Sequence, residues 1–256
     1  MHPPADPYQA FAPFYDDFTH DHDYARWLAA LEEAARAHGL SGRRALDMAC
    51  GSGKSFLPLL ERGYSVVGSD ASAEMLRRAA EKAPGTRLVC GDMTKLGNLG
   101  EFDLVTCLGD SLNYLLTADA LTAALRSARR NLAPGGIFVA DLNSTMGYRT
   151  TWASTFCVEA EAAVFLWRGR ASAELAPGAR ARTVIDVFER TTTDLWRRIS
   201  SPHEQRHHPE ARVRSLLARA GLECLGVYGQ LIDGSLDPSG DELEHHKLVY
   251  VAARPR

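Results

Sequence analysis

A chain of 256 residues, 45% of them hydrophobic, is long enough for one large α/β domain with a modest insertion and has the apolar material for a real core. Its formal net charge of −3 implies no basic surface, and no strong local basic patch of the kind nucleic acid needs stands out, with the arginines of a later insertion the nearest to one; that only Lys54, Lys82, Lys95 and Lys247 of the 29 basic residues are lysines reads as coding bias. Met1 to Asp6 lacks the charged and apolar regions of a signal peptide, no run of about 18 apolar residues exists, and Cys50, Cys90, Cys107, Cys157 and Cys224 form no C-x-x-C pair, so a cytoplasmic protein is expected, away from membranes, with Cys50, Cys90 and Cys107 reduced at strand ends in the core.

From Tyr8 to Tyr24 the chain is rich in aromatics and acids, a pattern that either packs on the domain or covers a site. A helix follows from Tyr24 to His38, with Trp27, Leu28, Leu31 and Ala35 at helical spacing and Gly39 as its stop. Ala45-Leu-Asp-Met-Ala-Cys-Gly-Ser-Gly-Lys-Ser55 then reads as a buried parallel strand that turns sharply into a helix over 55–62. Gly51 and Gly53 let the backbone approach a ligand closely, and a helix N-terminus offers N–H groups to it. Three nucleotide-type sites share this outline. A P-loop needs its first glycine at Met48, whose side chain fills the space of the phosphate-wrapping loop; a dinucleotide fingerprint needs its third glycine at Phe56, whose ring would hold helix and strand apart.

The next elements favour the third, a nucleoside site of another kind. Tyr64 to Asp70 reads as a second strand ending in an acid nineteen residues beyond Gly51, where a carboxylate can accept from both hydroxyls of a ribose. A third strand, Thr86 to Cys90, ends in Gly91-Asp92-Met93, and a fourth runs from Phe102 to Cys107. Each acid also has a structural reading, Asp70 as the cap of a helix beginning near Ser72 and Asp92 as the cap of a turn. Leu108 to Tyr114 lies beyond a strand's carboxyl end, where open α/β sheets place ligands, which makes Asp110 and Asn113 pocket candidates. A helix over Ala118 to Leu132 and a tight turn at Pro134-Gly-Gly136 lead to a fifth strand, Ile137 to Leu142, ending in Asp141-Leu-Asn143.

About sixty residues then intervene. Stretches 156–170, 179–190 and 194–200, rich in β-branched and aromatic residues and separated by turns at 176–178 and 191–194, read as three strands of a small antiparallel sheet over the site. Trp152, Trp167, Trp196, Tyr114 and Tyr148 lie in these covering segments, where they suit a flat or amphipathic small molecule or form the sheet's own core. In the extended segment Pro202 to His208, alternation puts His203, Gln205 and His207 on one face and Glu204 and Arg206 on the other. An imidazole at His203 with a pKa near neutrality would take or hold a proton; the plainer reading has it bonding a neighbouring strand while Arg206 pairs with a carboxylate. His207-His208 and His245-His246 read as surface residues. A helix over Pro209 to Ala220 and strands over Leu222 to Ile232 and Lys247 to Ala253, joined by a loop from Asp233 to Glu244, complete the chain.

Asp47, Ala49, Gly51 and Gly53 match acidic-x-A/G-x-G-x-G, the first motif of class I S-adenosylmethionine (SAM)-dependent methyltransferases. With Asp70, Asp92-Met93, Phe-Asp-x-Val at 102–105, Pro-Gly-Gly at 134–136 and Asp-x-Asn at 141–143 in order, the chain resembles that family from about Asp6 to Arg256. The resemblance implies an α/β fold, a Rossmann-like seven-stranded methyltransferase sheet with helices on both faces, plus a small antiparallel β insertion after strand five. It also implies an N-terminal lid and helix over 1–40, a SAM-binding core over 41–143 and 209–256, and an insertion over 144–208 that covers the acceptor site. SAM, the implied cofactor, falls to Asp47, Ala49, Gly51, Gly53, Asp70, Ala71, Met75, Asp92, Met93 and Leu108. Tyr15 and Tyr24 join them from the lid, because the family carries Tyr-Asp and Asp-Tyr ahead of its first motif, as at 15–16 and 23–24 here.

The acceptor side falls to Tyr114, Asn143, Trp152, Trp167 and Arg206, with His203, Asp110, Asn113 and Tyr15 as catalytic candidates; 203–206 is similar to the His-x-Gln-Arg that relatives carry before this helix. No metal is implied. Chains with such an insertion resemble amino-sugar and glycine N-methyltransferases, so the expected function is methyl transfer to a small-molecule nucleophile, nitrogen first, of the kind found in natural-product biosynthesis. O- or C-methylation of an aromatic small molecule, and a SAM-binding protein that transfers no methyl, are the alternatives. A monomer or homodimer is expected.

Overall fold

The computed structural model describes residues 7–161, 163–191 and 195–256, so the expected 191–194 turn and the segment before Pro7 lie wholly or mostly outside the described residues. In chain order the elements are α1 (Pro7–Phe11), α2 (Tyr15–Phe18), α3 (Tyr24–Ala37), β1 (Arg44–Met48), α4 (Leu57–Glu61), β2 (Ser65–Asp70), α5 (Ala73–Lys82), β3 (Arg87–Cys90), β4 (Phe102–Cys107), α6 (Ala118–Asn131), β5 (Leu132–Asn143) and α7 (Thr145–Arg149). There follow β6 (Thr155–Glu159), β7 (Ala163–Gly169), β8 (Arg180–Arg190), β9 (Trp196–Arg206), α8 (Glu210–Ala220), β10 (Glu223–Gln230), β11 (Leu236–Asp237) and β12 (Lys247–Ala253).

The large sheet has the order β11-β10-β12-β5-β4-β1-β2-β3. Strands β1 to β5 run parallel, while β12 pairs antiparallel with both β5 and β10. It holds eight strands, one more than the motif series implies, because the chain reverses after β10 through a Leu231 N–H bond to the Ser235 carbonyl and lays two residues of β11 against Gly229 and Gln230. Two apolar layers flank the sheet. Leu121 and Leu125 of α6 and Val213 and Leu217 of α8 pack on one face; Leu28 and Leu31 of α3, Leu59 of α4 and Ala79 of α5 pack on the other. The Pro134-Gly-Gly136 turn lies inside β5 as an irregularity: Gly135 takes φ +77°, and a Cβ on Gly136 would stand 2.8 Å from the Phe102 carbonyl oxygen. Cys50 and Cys107 are buried as expected, but Cys90 is exposed, because β3 is the edge strand.

The insertion is a four-stranded antiparallel meander, β6-β7-β8-β9. The 156–170 stretch is two strands, β6 and β7; no glycine or proline marks the reversal between them, so the apolar run reads as one. The third expected strand continues to Arg206, setting His203 opposite Thr183 and Gln205 opposite Ala181, with both side chains buried while Glu204 and Arg206 are partly exposed. Phe11 and Phe14 sit in the same apolar cluster as Tyr148, Trp152, Phe165 and Trp167. The N-terminal aromatics are therefore core for the insertion sheet, each contributing roughly 1.5–3 kcal/mol of burial. Among the described residues no helix is long and apolar enough to cross a membrane.

Candidate active site

The chain leaves β1 through Ala49 at φ +57°, a left-handed conformation rare for a residue with a Cβ, and through Gly51 at φ +53°. A Cβ built on Gly51 would meet nothing within 4 Å, and Gly51 lines a cavity, so this backbone edge is open for a flat ligand to lie against. Gly53 has another reason: at φ +89° its Cβ would stand 2.9 Å from the Phe56 ring, and it does not line the cavity. Asp47 is beneath the loop, 1% exposed, accepting from Ser55 Oγ at 2.5 Å and Thr106 Oγ1 at 2.7 Å. Burial, against those two bonds, pushes its carboxyl up to about 6. Asp47 and Gly53 thus shape the loop from below.

The cavity, about 220 Å³, is lined by Ala49, Gly51, Asp70, Ala71, Met75, Asp92, Met93, Leu108, Tyr15 and Tyr24. Asp70 accepts from the Gly51 N–H and the Ser72 N–H, each at 2.8 Å, so it braces the loop and ends β2 at the cavity wall, while Ser72 caps α5. Asp92 accepts from the Thr94 N–H and hydroxyl, the expected turn cap, and still faces the cavity. A carboxylate at a strand end, open loop backbone and thioether and aliphatic walls fit a nucleoside with a sulfonium tail. The N-terminal segment borders this cavity with Tyr8, Tyr15 and Tyr24 and is tied to the loop beside it. Ser52 Oγ donates to Asp16 at 2.5 Å, Lys82 pairs with Asp16, and Lys54 Nζ donates to the Thr19 carbonyl at 2.8 Å.

A second, wider cavity of about 760 Å³ shares Tyr8, Tyr15, Tyr24, Gly109 and Tyr114 with the first, so a ligand in one faces a ligand in the other across these residues. It brings together Asp110, Asn143, Trp152, Trp167 and His203. Asn113 and Arg206 line neither cavity. Asn113 is 0% exposed and ties the insertion to the core, donating to the Arg206 carbonyl and accepting from the Asn143 N–H. Arg206 is on the other face of β9 and donates to the carbonyls of Gly178 and Leu116. Tyr148 is buried in the sheet's core and Trp196 is 54% exposed at the hairpin's end, so neither lines the cavity. His207, His208 and His245 are buried, against the surface reading: His207 meets Glu242 at 2.9 Å and His208 the Leu115 carbonyl at 2.9 Å.

His203 is 4% exposed, and burial pushes its pKa down to about 4, far from the near-neutral value expected of an exposed imidazole. It is therefore neutral. Tyr8 donates to the Tyr114 hydroxyl at 3.0 Å, and the His203 ring is hydrogen-bonded at both nitrogens, Nδ1 to the Tyr114 hydroxyl at 2.8 Å and Nε2 to Ser201 Oγ at 3.0 Å. Burial, reinforced by neighbouring tyrosines, raises Tyr8 and Tyr15; burial, reinforced by Asp110, raises Tyr114, so all three remain protonated phenols.

Two further residues bear on the site: Lys247, absent from the motif series, and Gln205, part of the His-x-Gln-Arg stretch but not among its candidates. Lys247, at the start of β12, places Nζ 2.6 Å from Asp110 and 2.9 Å from Asp141; burial alone would lower its pKa, but the two carboxylates outweigh this and hold it above the usual lysine range. Gln205 donates to Asp110 at 2.6 Å and accepts from Asn143 and Tyr148, each at 3.0 Å. Asp110 itself takes φ +52°, a second strained non-glycine residue at a strand's carboxyl end.

Residues 45–136 match the model of a methyltransferase domain. YqeM of Bacillus subtilis (strain 168), itself named only provisionally as a methyltransferase, is 30% identical over 232 residues, covering 88% of this chain and 90% of that one. The dTDP-3-amino-3,6-dideoxy-alpha-D-glucopyranose N,N-dimethyltransferase of Streptomyces fradiae is 33% identical over 131 residues, covering 49% of this chain and 51% of that protein. Among solved structures, an S-adenosylmethionine-dependent methyltransferase from Clostridium acetobutylicum ATCC 824 superposes with a TM-score of 0.81 at 25% identity, covering 97% of this chain and 99% of that one. With that full-length relative, that shared fold and a glycine-edged cavity ending in Asp70, the chain belongs to the S-adenosylmethionine-dependent methyltransferases.

Proposed function

We propose that the enzyme moves its methyl group to a nitrogen of a small molecule held in the wider cavity. The observation that carries this is the state of the groups beside the passage between the cavities: His203 is held near 4, the tyrosines stay protonated and Lys247 stays an ammonium, so none of these is a base for an aliphatic hydroxyl. An amine needs no such base, because once its ammonium has released a proton to water it brings its own lone pair. Relatives named as sugar N,N-dimethyltransferases point the same way.

Bound SAM supplies a methyl group on a sulfonium, so that the C–N bond forms as the C–S bond breaks and the bonding pair stays on sulfur. The chain's residues align and enclose. Gly51 and Asp70 hold the nucleoside end, Tyr15, Tyr24 and Tyr114 frame the passage between the cavities, and Asp110, fixed by Lys247 and Gln205, meets the acceptor's N–H. In this reading residues 1–40 act as lid, 41–143 with 209–256 as cofactor core and 144–208 as acceptor cover, in a cytoplasmic monomer or homodimer that works without nucleic acid. A panel of arylalkyl amines beside the matching alcohols, with methyl-labelled SAM, tests it: label is expected in the amines, and label in the alcohols alone contradicts it.

A further inference from the structure

We infer that the acceptor reaches the wider cavity as an organic ammonium that carries no phosphate group, a reading that rests on nitrogen transfer and names the class of amine. Four carboxylates line that cavity, Asp21, Asp23, Asp110 and Asp233, against two cations, Arg26 and Lys247. Both cations are already neutralised. Arg26 Nη2 lies 2.6 Å from Asp233, and Lys247 Nζ lies between Asp110 and Asp141 at 2.6 and 2.9 Å. Burial lowers the pKa of His22, and that of His203 is pushed down to about 4, so these two imidazoles add no positive charge at neutral pH. A diphosphate needs arginine forks or lysines left over for it, and the described lining offers neither.

The uncharged part of the wall agrees. Trp152, Trp167, Phe18 and Phe156 line the cavity and give it an aromatic wall for the organic part of an alkylammonium. Because SAM's sulfonium is itself positive, an ammonium drawn towards it needs a net negative chamber to offset the repulsion, and the methylated ammonium product keeps the same match.

The test is binding of two probes, phenethylamine and thymidine diphosphate, to the full chain saturated with S-adenosylhomocysteine, followed by quenching of tryptophan emission at low and moderate salt. Phenethylamine is expected to bind, more weakly at higher salt, and to lose affinity about 3- to 10-fold in Asp21→Asn/Asp23→Asn, a change at exposed positions that leaves the buried pairs intact. Asp110→Asn should lose at least as much. Tighter binding of thymidine diphosphate, no binding of phenethylamine, or unchanged amine affinity in the exposed double variant overturns the inference. The nitrogen reading fails separately: N-methylation of a dTDP-linked amino sugar would remove the inference and keep nitrogen transfer, while methylation at oxygen of a phosphate-free amino alcohol would do the reverse.

Discussion

The Lys247 ammonium stands 2.6 Å from the Asp110 carboxylate and 2.9 Å from that of Asp141, joining the loop after β4, the end of β5 and the start of β12 at the wall of the wider cavity. Asp141 is 0% exposed, so removing the ammonium leaves a buried carboxylate without its counter-charge. Lys247→Met should therefore destabilise the fold by about 3–5 kcal/mol in urea unfolding, with Lys247→Met/Asp141→Asn regaining more than half. Equal stability of the single variant and wild type would show the pair to be incidental.

Asp70 is braced by two backbone N–H groups and faces the smaller cavity. Asp70→Ala should weaken SAM binding by roughly 1.5–3 kcal/mol, the worth of hydrogen bonds to a charged acceptor. Titration calorimetry checks this; unchanged affinity removes Asp70 from the ribose site.

His203→Ala distinguishes a base from a positioning residue. A neutral imidazole hydrogen-bonded to the Tyr114 hydroxyl at 2.8 Å would set the passage between the two cavities and take no proton from an acceptor. Its loss should lower kcat/KM by about tenfold, the order expected for one lost hydrogen bond, with SAM affinity and the shape of the pH–rate profile unchanged. Loss of a pKa from the profile would restore the proton-transfer role that the sequence pattern suggests.

The sequence made the donor half legible because its requirements are local: a strand, a glycine-edged turn and an acid at the next strand's end lie within Ala45 to Asp70. The acceptor half is assembled from distant pieces. Lys247 meets Asp110 across 137 residues, and a lone lysine at the start of the last strand carries no local sign of such a partner. Arg206 and Asn113 have suitable chemistry but face other carbonyls and the chain between strands, which depends on the register of β9 against β8. The pKa of His203 is a property of burial and therefore of the packed fold, not of its neighbours in sequence. The extra strand β11 is two residues long and hides in a polar loop.

Stability should fall on acidification. Burial is the main cause that pushes His203 and His208 down to about 4, whereas an unfolded histidine titrates near 6.5. Between those values the unfolded chain binds more protons, so the stability these residues support is whole above about pH 6.5 and is lost as pH falls towards 4. Asp47, raised to about 6, has the opposite sign: its burial costs stability at neutral pH, and that cost eases as pH falls through 6 towards the unfolded value of 3.8. Two imidazoles outweigh one carboxyl, so the calorimetric midpoint should drop between about pH 6.5 and 4, with a shallower slope in His208→Asn. A flat midpoint across that window would contradict the burial of these rings.

The most direct measurement is the position of the transferred methyl. Turnover of SAM labelled in its methyl carbon with the phosphate-free amine that binds best, followed by heteronuclear NMR of the purified product, should place the label on nitrogen; a label on oxygen or carbon would contradict the account.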